Sequence, residues 1–180
     1  TVIASDGELS SAQDITITIN NLNDNNPVIT SLSFASDENQ TSIGTLSATD
    51  ADGDSVTISI SESDAESFNL SDSNDLSFKE APDYETKTSY SLTLSVSDGT
   101  ESVTKEIAIN INNLNDNNPV ITSESSFSTD ENTTSVATLS ATDADGDNVT
   151  FSISGSDLSI TPGGSLSFIS APDYETTTSY

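Results

Sequence analysis

Apolar and polar residues alternate with a period of two along much of this chain. Ile15, Ile17 and Ile19 are separated by Thr, and Val56, Ile58 and Ile60 by Thr and Ser. Leu92, Leu94 and Val96 repeat the pattern, as do Ile107, Ile109 and Ile111. A strand that alternates in this way buries one face and wets the other. No stretch carries the 3.6-residue period of an amphipathic helix. Between Pro27 and Pro119 the pattern predicts seven strands, near 28–35, 43–49, 55–61, 67–70, 75–79, 89–97 and 103–112. Turn residues separate them, as at Asp52-Gly53 and Asp98-Gly99. Short strands with such turns predict an all-β fold, a seven-stranded Greek-key β-sandwich.

The sandwich is repeated. Asn21-Leu22-Asn23-Asp24-Asn25-Asn26-Pro27 recurs without change as Asn113 to Pro119, 92 positions later. Ser5-Asp6-Gly7 returns as Ser97-Asp98-Gly99, and Asp37-Glu38-Asn39 as Asp130-Glu131-Asn132. Ala48 to Asp54 returns as Ala141 to Asp147, and Ala81 to Thr86 as Ala171 to Thr176. A fixed period of this size marks tandem domains joined end to end. Residues 1–27 read as the last two strands and connector of one repeat, 28–119 as a complete repeat, and 120–180 as the first five strands of a third. Thr1 is not an initiator Met, which is expected of a segment of something longer. The partial ends then read as cut from a long array. Alternatively, one chain's end completes the next by strand exchange.

Composition narrows the chemistry. The 180 residues carry 30 acidic and three basic side chains, a net charge of −27. Lys79, Lys87 and Lys105 are the whole basic complement, so electrostatic binding to nucleic acid or anionic lipid is excluded as a function. Without His or Cys there is no zinc or soft-metal site and no Ser-His or Cys-His nucleophile. Paired carboxylates would also suit a glycosidase, but that needs aromatic sugar platforms, and the chain has no Trp and four Tyr. The chain reads as not an enzyme. No apolar run approaches the roughly 20 residues of a membrane span. Sequons at Asn39, Asn69, Asn132 and Asn148 are common in a Ser/Thr-rich chain and add little.

The repeated connector is where the acids acquire meaning. It is nearly devoid of apolar residues, and it offers carboxylate, amide and carbonyl oxygens before a proline that keeps its exit extended. Hard cations such as Ca²⁺ take this mixture of oxygens. The connector therefore reads as a joint between domains held rigid by calcium.

The ordered motifs resemble those of tandem cadherin repeats, of the divergent kind found in large microbial surface proteins. Asn115-Asp116-Asn117-Asn118-Pro119 is similar to the end of the family's Asp-x-Asn-Asp-Asn-x-Pro joint, with Asn113 in place of its leading Asp. The family's acidic strand-A position is met by Glu38 and Glu131, and its Asp-x-Asp by Asp50/Asp52 and Asp143/Asp145. Its Asp-x-Glu is met by Asp83/Glu85 and Asp173/Glu175, and its late Asp by Asp6 and Asp98. The resemblance covers the whole chain. It implies a seven-stranded sandwich, about three Ca²⁺ at each joint, and a place in extracellular adhesion or rigid stalks.

Those positions sort into two joints. For the second, Glu38, Asp83 and Glu85 are expected to form a lower cup, with Asp143 and Asp145 from the following repeat and Asn113, Asn115, Asp116 and Asn117 from the connector. For the first, Asn23, Asp24, Asn25, Asp50, Asp52 and Asp98 are expected to hold fewer ions, since no matching cup precedes them in these 180 residues. Asp54 has no family counterpart and reads as a residue that solvates the turn. Without a cation, so many carboxylates close together would repel. Three roles fit: a calcium-stiffened spacer of a cell-surface adhesin or fibre, a direct homophilic or heterophilic adhesion module, or a subunit that polymerises through its ends. The partners expected are neighbouring repeats, copies of the same protein, or another surface protein or glycan.

Overall fold

The computed structural model describes residues 1–31 and 33–180. The fold is all-β, and the strands follow the alternation wherever a partner strand exists. In chain order they are β1 (Val2–Ser5), β2 (Ser10–Gln13), β3 (Val28–Ile29), β4 (Phe34–Asp37), β5 (Ser42–Thr45) and β6 (Ala48–Thr49). They continue as β7 (Thr57–Ser61), β8 (Phe68–Leu70), β9 (Asp75–Phe78), β10 (Ser89–Ser97) and β11 (Ser102–Asn112). One sheet has the order β4-β11-β10-β7, a second β5-β9-β8, and β3 pairs with β6 in a short ribbon. Neighbours that are not consecutive in sequence make this a Greek-key β-sandwich.

By contact density the chain divides into two compact units. The first takes Thr1–Phe34, Ser42–Lys79 and Tyr90–Ile109, and the second Ala35–Thr41, Glu80–Ser89 and Asn110–Tyr180.

The core of the first unit follows from period two. Leu92, Leu94 and Val96 on β10, and Ile107 and Ile109 on β11, are all buried, as are Leu46, Phe68, Leu76 and Phe78 opposite them. Each such side chain contributes about 1.5–3 kcal/mol when fully buried. The Phe68 and Phe78 rings lie 4.7 Å apart, and Tyr90 meets Phe78 edge-on at 5.0 Å. On the outer face, Thr57, Ser59 and Ser61 of β7 donate hydroxyl hydrogen bonds to the carbonyls of Ser97, Ser95 and Thr93 at 3.2–3.5 Å.

Two expected strands are split. The strand expected over 28–35 becomes β3, paired with β6, and β4, which joins β11 in the other sheet. Leu32, between them, lies outside the described residues. The strand expected over 43–49 becomes β5, paired with β9, and β6, with a register shift between Ser42 and Gly44. Hydrophobic alternation marks extended backbone; it does not mark the point at which a chain changes sheets.

The strand expected at Ile15, Ile17 and Ile19 is absent. Those residues are 57, 80 and 85% exposed, and β1 and β2 form a hairpin that ends at Gln13. An alternating stretch without a neighbouring strand has neither ladder nor core to bury its apolar face.

The second unit carries β12 (Val120–Ile121), β13 (Ser135–Thr138), β14 (Ala141–Thr142), β15 (Leu158–Ile160) and β16 (Ser165–Phe168). Their pairings copy those of the complete repeat: β12 with β14, and β13-β16-β15. The ring of Tyr180 meets Phe168 at 4.8 Å, as Tyr90 meets Phe78. Thr150–Ser154, which match β7, form no strand, because β7 is held by β10 and no described strand plays that part here. Phe127, Val136, Leu158, Leu166 and Phe168 line a groove of about 470 Å³. Their counterparts Phe68, Leu76 and Phe78 are buried beneath β10 and β11.

Candidate metal centre

Within the second unit, Glu38, Glu85, Asp116 and Asp145 converge. Each offers one carboxylate oxygen, and these oxygens lie within 4.8 Å of one another. Four separate stretches supply them: the turn after β4, the Asp83-Tyr84-Glu85 loop, the connector, and the turn after β14. Local geometry aims each one. Asp83 accepts from the backbone N–H and hydroxyl of Thr86 at 3.2 and 2.9 Å, which closes the loop that presents Glu85. Gly146, with φ at 81°, lets the Asp143–Asp147 turn fold back, and Gly53 does the same for Asp50–Asp54 with φ at 83°.

Glu38 anchors the cluster. It is 1% exposed, an unusual place for a carboxylate. Its Oε2 accepts from the Tyr84 N–H at 2.8 Å and its Oε1 from the Leu114 N–H at 2.7 Å. One buried side chain therefore ties the Asp83 loop and the connector to the end of β4. Glu131 repeats half of this arrangement, accepting from the Tyr174 N–H at 3.1 Å, and it remains exposed. It groups with Asp173 and Glu175, both also exposed.

The centre of the main cluster is filled by an amide. Asn117 Nδ2 donates to Asp116 Oδ1 at 2.8 Å, Asp145 Oδ1 at 2.9 Å and Glu85 Oε2 at 3.3 Å. A neutral NH₂ here does weakly what a cation bound by three carboxylates would do strongly, and a half-turn of the same amide would present Oδ1 as a further ligand. Asp145 Oδ2 also accepts from the Asp116 and Asn117 N–H groups at 3.1 and 2.8 Å. Asn113 Nδ2 donates to the Asp145 carbonyl at 2.7 Å.

The first unit builds the same upper half. Asp52 Oδ2 accepts from the Asp24 and Asn25 N–H groups at 3.0 and 2.8 Å, and its Oδ1 from Asn25 Nδ2 at 2.8 Å. Asn21 Nδ2 donates to the Asp52 carbonyl at 2.9 Å. Among the described residues, Asn23 Oδ1, Asp50 Oδ2 and Asp98 Oδ2 are buried side-chain oxygens without a hydrogen-bond partner. Buried acceptors left unpaired are costly. An oxygen-loving cation would satisfy all three. In the second unit Asn115, the counterpart of Asn23, is exposed.

Two ligand candidates were not singled out by sequence. Asp54 groups with Asp50 and Asp52, and Asp147 with Asp143 and Asp145, their oxygens within 4.8 Å. The alternation Asp-x-Asp-x-Asp was the available signal. Asp50 Oδ1 and Asp143 Oδ1 accept the N–H of the second and third acids, which curls each turn around the first.

The environments set the protonation states. The Asn117 side-chain amide and the N–H groups of Asn117 and Asp116 hold Asp145 below the ordinary carboxylate range, against some loss of hydration. The Asn25 N–H leads the same effect at Asp52, and the Glu101 and Thr100 N–H groups lead it at Asp98. Glu85 goes the other way. Loss of hydration raises it first, and the charges of Glu38, Asp145 and Asp83 raise it further, against its own N–H. A bound cation needs Glu85 ionised, so binding expels a proton, and affinity falls as pH falls through the raised value. The metal-free fold shows the opposite sign for Glu85: relative stability is present where it is protonated and is lost as pH rises through that value. Asp145 and Asp52 stay charged well below this, and the stability they contribute is lost only as pH falls through their lowered values. Calcium affinity at this cluster is therefore expected to weaken as pH drops from about 7 toward about 5, with proton release measurable by calorimetry in buffers of different ionisation heat. Affinity that did not change over that range would rule out a raised Glu85 as a ligand.

A Greek-key sandwich repeated along the chain, with paired acids and an Asn/Asp connector at its ends, defines a cadherin-like repeat protein. Residues 30–112 match the family model of the cadherin domain. The chain is made of cadherin-like repeats. Calcium binding is inherent to that family, and its domains are extracellular adhesion modules. The chain is 34% identical over 151 residues to the human cadherin EGF LAG seven-pass G-type receptor 1, and 33% identical to the mouse protein, covering 76% of this chain in each case. It spans only 5% of the length of either receptor. Among solved structures it resembles mouse cadherin-23 EC22-24 with a TM-score of 0.70 and 24% identity, covering 86% of this chain and 57% of that one. Human protocadherin-24 EC1-2 aligns with a TM-score of 0.71 and 23% identity, covering 87% and 82%. At those identities the structural likeness carries the fold. These relatives are mammalian, and the microbial character expected from sequence finds no support in them.

Proposed function

We propose that this chain is a calcium-stiffened part of an extracellular repeat array, serving as a spacer of a surface adhesin or fibre and not as an enzyme. The observation that supports this reading is the convergence of Glu38, Glu85, Asp116 and Asp145 around the Asn117 amide. Ca²⁺ takes six to eight oxygens at roughly 2.3–2.6 Å and tolerates irregular geometry. Carboxylates, amide oxygens and carbonyls from Asp83, Asn113, Asn115 and Asp143 supply the remainder. Mg²⁺ suits the set less well, because it resists full dehydration. The connector at Asn21–Pro27, with Asn23, Asp24, Asn25, Asp50, Asp52 and Asp98, takes fewer ions in these 180 residues, and Glu131, Asp173 and Glu175 form the cup of a further joint. The repeats divide at 27 and 119 in this reading. The partners are other repeats of the same chain or copies of it.

Calorimetric titration tests it. Saturable binding is expected with dissociation constants of roughly 10⁻⁴–10⁻³ M. Asp116→Ala should remove most of the heat at the second connector, because Asp116 lies between the two halves of the donor set. Asp54→Ala should weaken the first only a few-fold, since Asp54 is exposed at the rim of its turn. Equal losses would remove that distinction, and no saturable binding at millimolar calcium would end the reading.

A further inference from the structure

The turn after β4 is made at Asn39, whose φ is 62°. Its N–H donates to the Pro82 carbonyl at 2.9 Å. Asn132 makes the same turn in the second unit, with φ at 63° and its N–H on the Pro172 carbonyl at 2.9 Å. Left-handed backbone and one N–H are therefore all the turn requires, and asparagine is among the few residues that adopt it readily. The side-chain amide of Asn39 is not consumed by the turn. It reaches across to the connector and donates to Asp116 Oδ2.

Asp116 needs such a hold. It is exposed on the connector, and its neighbours in the cluster are three carboxylates that repel it. Two amides keep it facing inward: Asn117 Nδ2 on Oδ1 at 2.8 Å and Asn39 Nδ2 on Oδ2. The first cannot persist with a cation in the cluster, because the ion takes the place of the NH₂ and turns the Asn117 amide round. Asn39 approaches from the strand side and donates to the other oxygen, so its hold is compatible with an ion bound through Oδ1. We propose that Asn39 is a positioning residue for the cation cluster: its amide orients Asp116 toward Glu38, Glu85 and Asp145, so that the connector's carboxylate is aimed before the ion arrives. The proposal rests on the calcium reading above.

Asn39→Gly separates the two roles of this residue. Glycine keeps the left-handed turn and the N–H to Pro82 and removes only the amide. The expected result is an unchanged unfolding midpoint in chelator, with calcium affinity at the second connector lower by roughly 3- to 10-fold. Asn132→Gly, the same change where no connector follows, should leave affinity as it was. A metal-free readout accompanies the titration: the Asp116 carboxylate ¹³C resonance should move in Asn39→Gly and stay in place in Asn132→Gly. If Asn39→Gly binds calcium as tightly as the unaltered chain, or the Asp116 resonance does not move, Asn39 is a turn residue only and the proposal falls. If the resonance moves but the unaltered chain binds no calcium, the calcium reading has failed and the positioning role fails with it.

Discussion

Glu38→Ala is expected to lower stability by about 2–4 kcal/mol and to abolish calcium binding at the second connector. Its two carboxylate oxygens each take a backbone N–H, from Tyr84 and Leu114, in a site that is 1% exposed. Hydrogen bonds to a charged group contribute about 1.5–3 kcal/mol each, and a donor left without a partner inside the fold adds its desolvation cost. Relief of repulsion among the remaining carboxylates offsets part of that loss in the metal-free protein. Glu38→Gln keeps the volume and one acceptor, so it should recover much of the stability and little of the calcium affinity. Glu131→Ala removes a single bond at an exposed site and should be nearly silent. Denaturant unfolding in chelator and in millimolar calcium measures all three. A wild-type midpoint for Glu38→Ala would mean that Tyr84 and Leu114 find water instead, and the stapling role would be lost.

The second large effect concerns the array. With calcium bound, each connector should be held from both sides; with calcium removed, it is a seven-residue polar segment beside unbalanced carboxylates. A segment of that composition behaves as a flexible link. Because the ion binds one state and not the other, the stiff state gains as calcium rises above its dissociation constant. Small-angle scattering should therefore show a longer particle in millimolar calcium than in chelator. The β-sheet circular dichroism should change little, since Leu92, Leu94, Val96, Ile107 and Ile109 pack without involving the donor set. Identical scattering under both conditions would exclude the spacer mechanism. Melting of the sheets on chelation would show that the ion holds the sandwich itself.

Much of this was legible in the residues, for physical reasons. Period-two alternation from Val56 to Ile60 and from Leu92 to Val96 can bury only one face, and those stretches became β7 and β10. The paired acids stood out because they recurred in register. What stayed hidden depends on partners rather than on local pattern. The passage of β3 into β4 from one sheet to the other has no signature in the alternation, nor has the lack of a ladder at Ile15, Ile17 and Ile19. The motifs named Glu38 and Asn117 as donors without showing that one is the buried tie between two loops and the other fills the centre. The same motif that supplied Glu38 includes Asn39, but its amide acquires a role only through Asp116, 77 positions away in sequence.

The upper half of the donor set is built twice with the same bonds: Asn21 and Asn113 on the carbonyls of Asp52 and Asp145, and Asn25 and Asn117 on their carboxylates. Every contact in that half lies between a connector and the turn that follows it, so it needs nothing from the repeat before. Each repeat thus carries a finished plug at its front and, at Glu38 or Glu131, an unfinished socket at its back. Any repeat can follow any other. A gene encoding such units can gain or lose whole repeats by unequal crossing-over while every remaining junction keeps its chemistry, which leaves the reach of the array free to drift under selection for length alone.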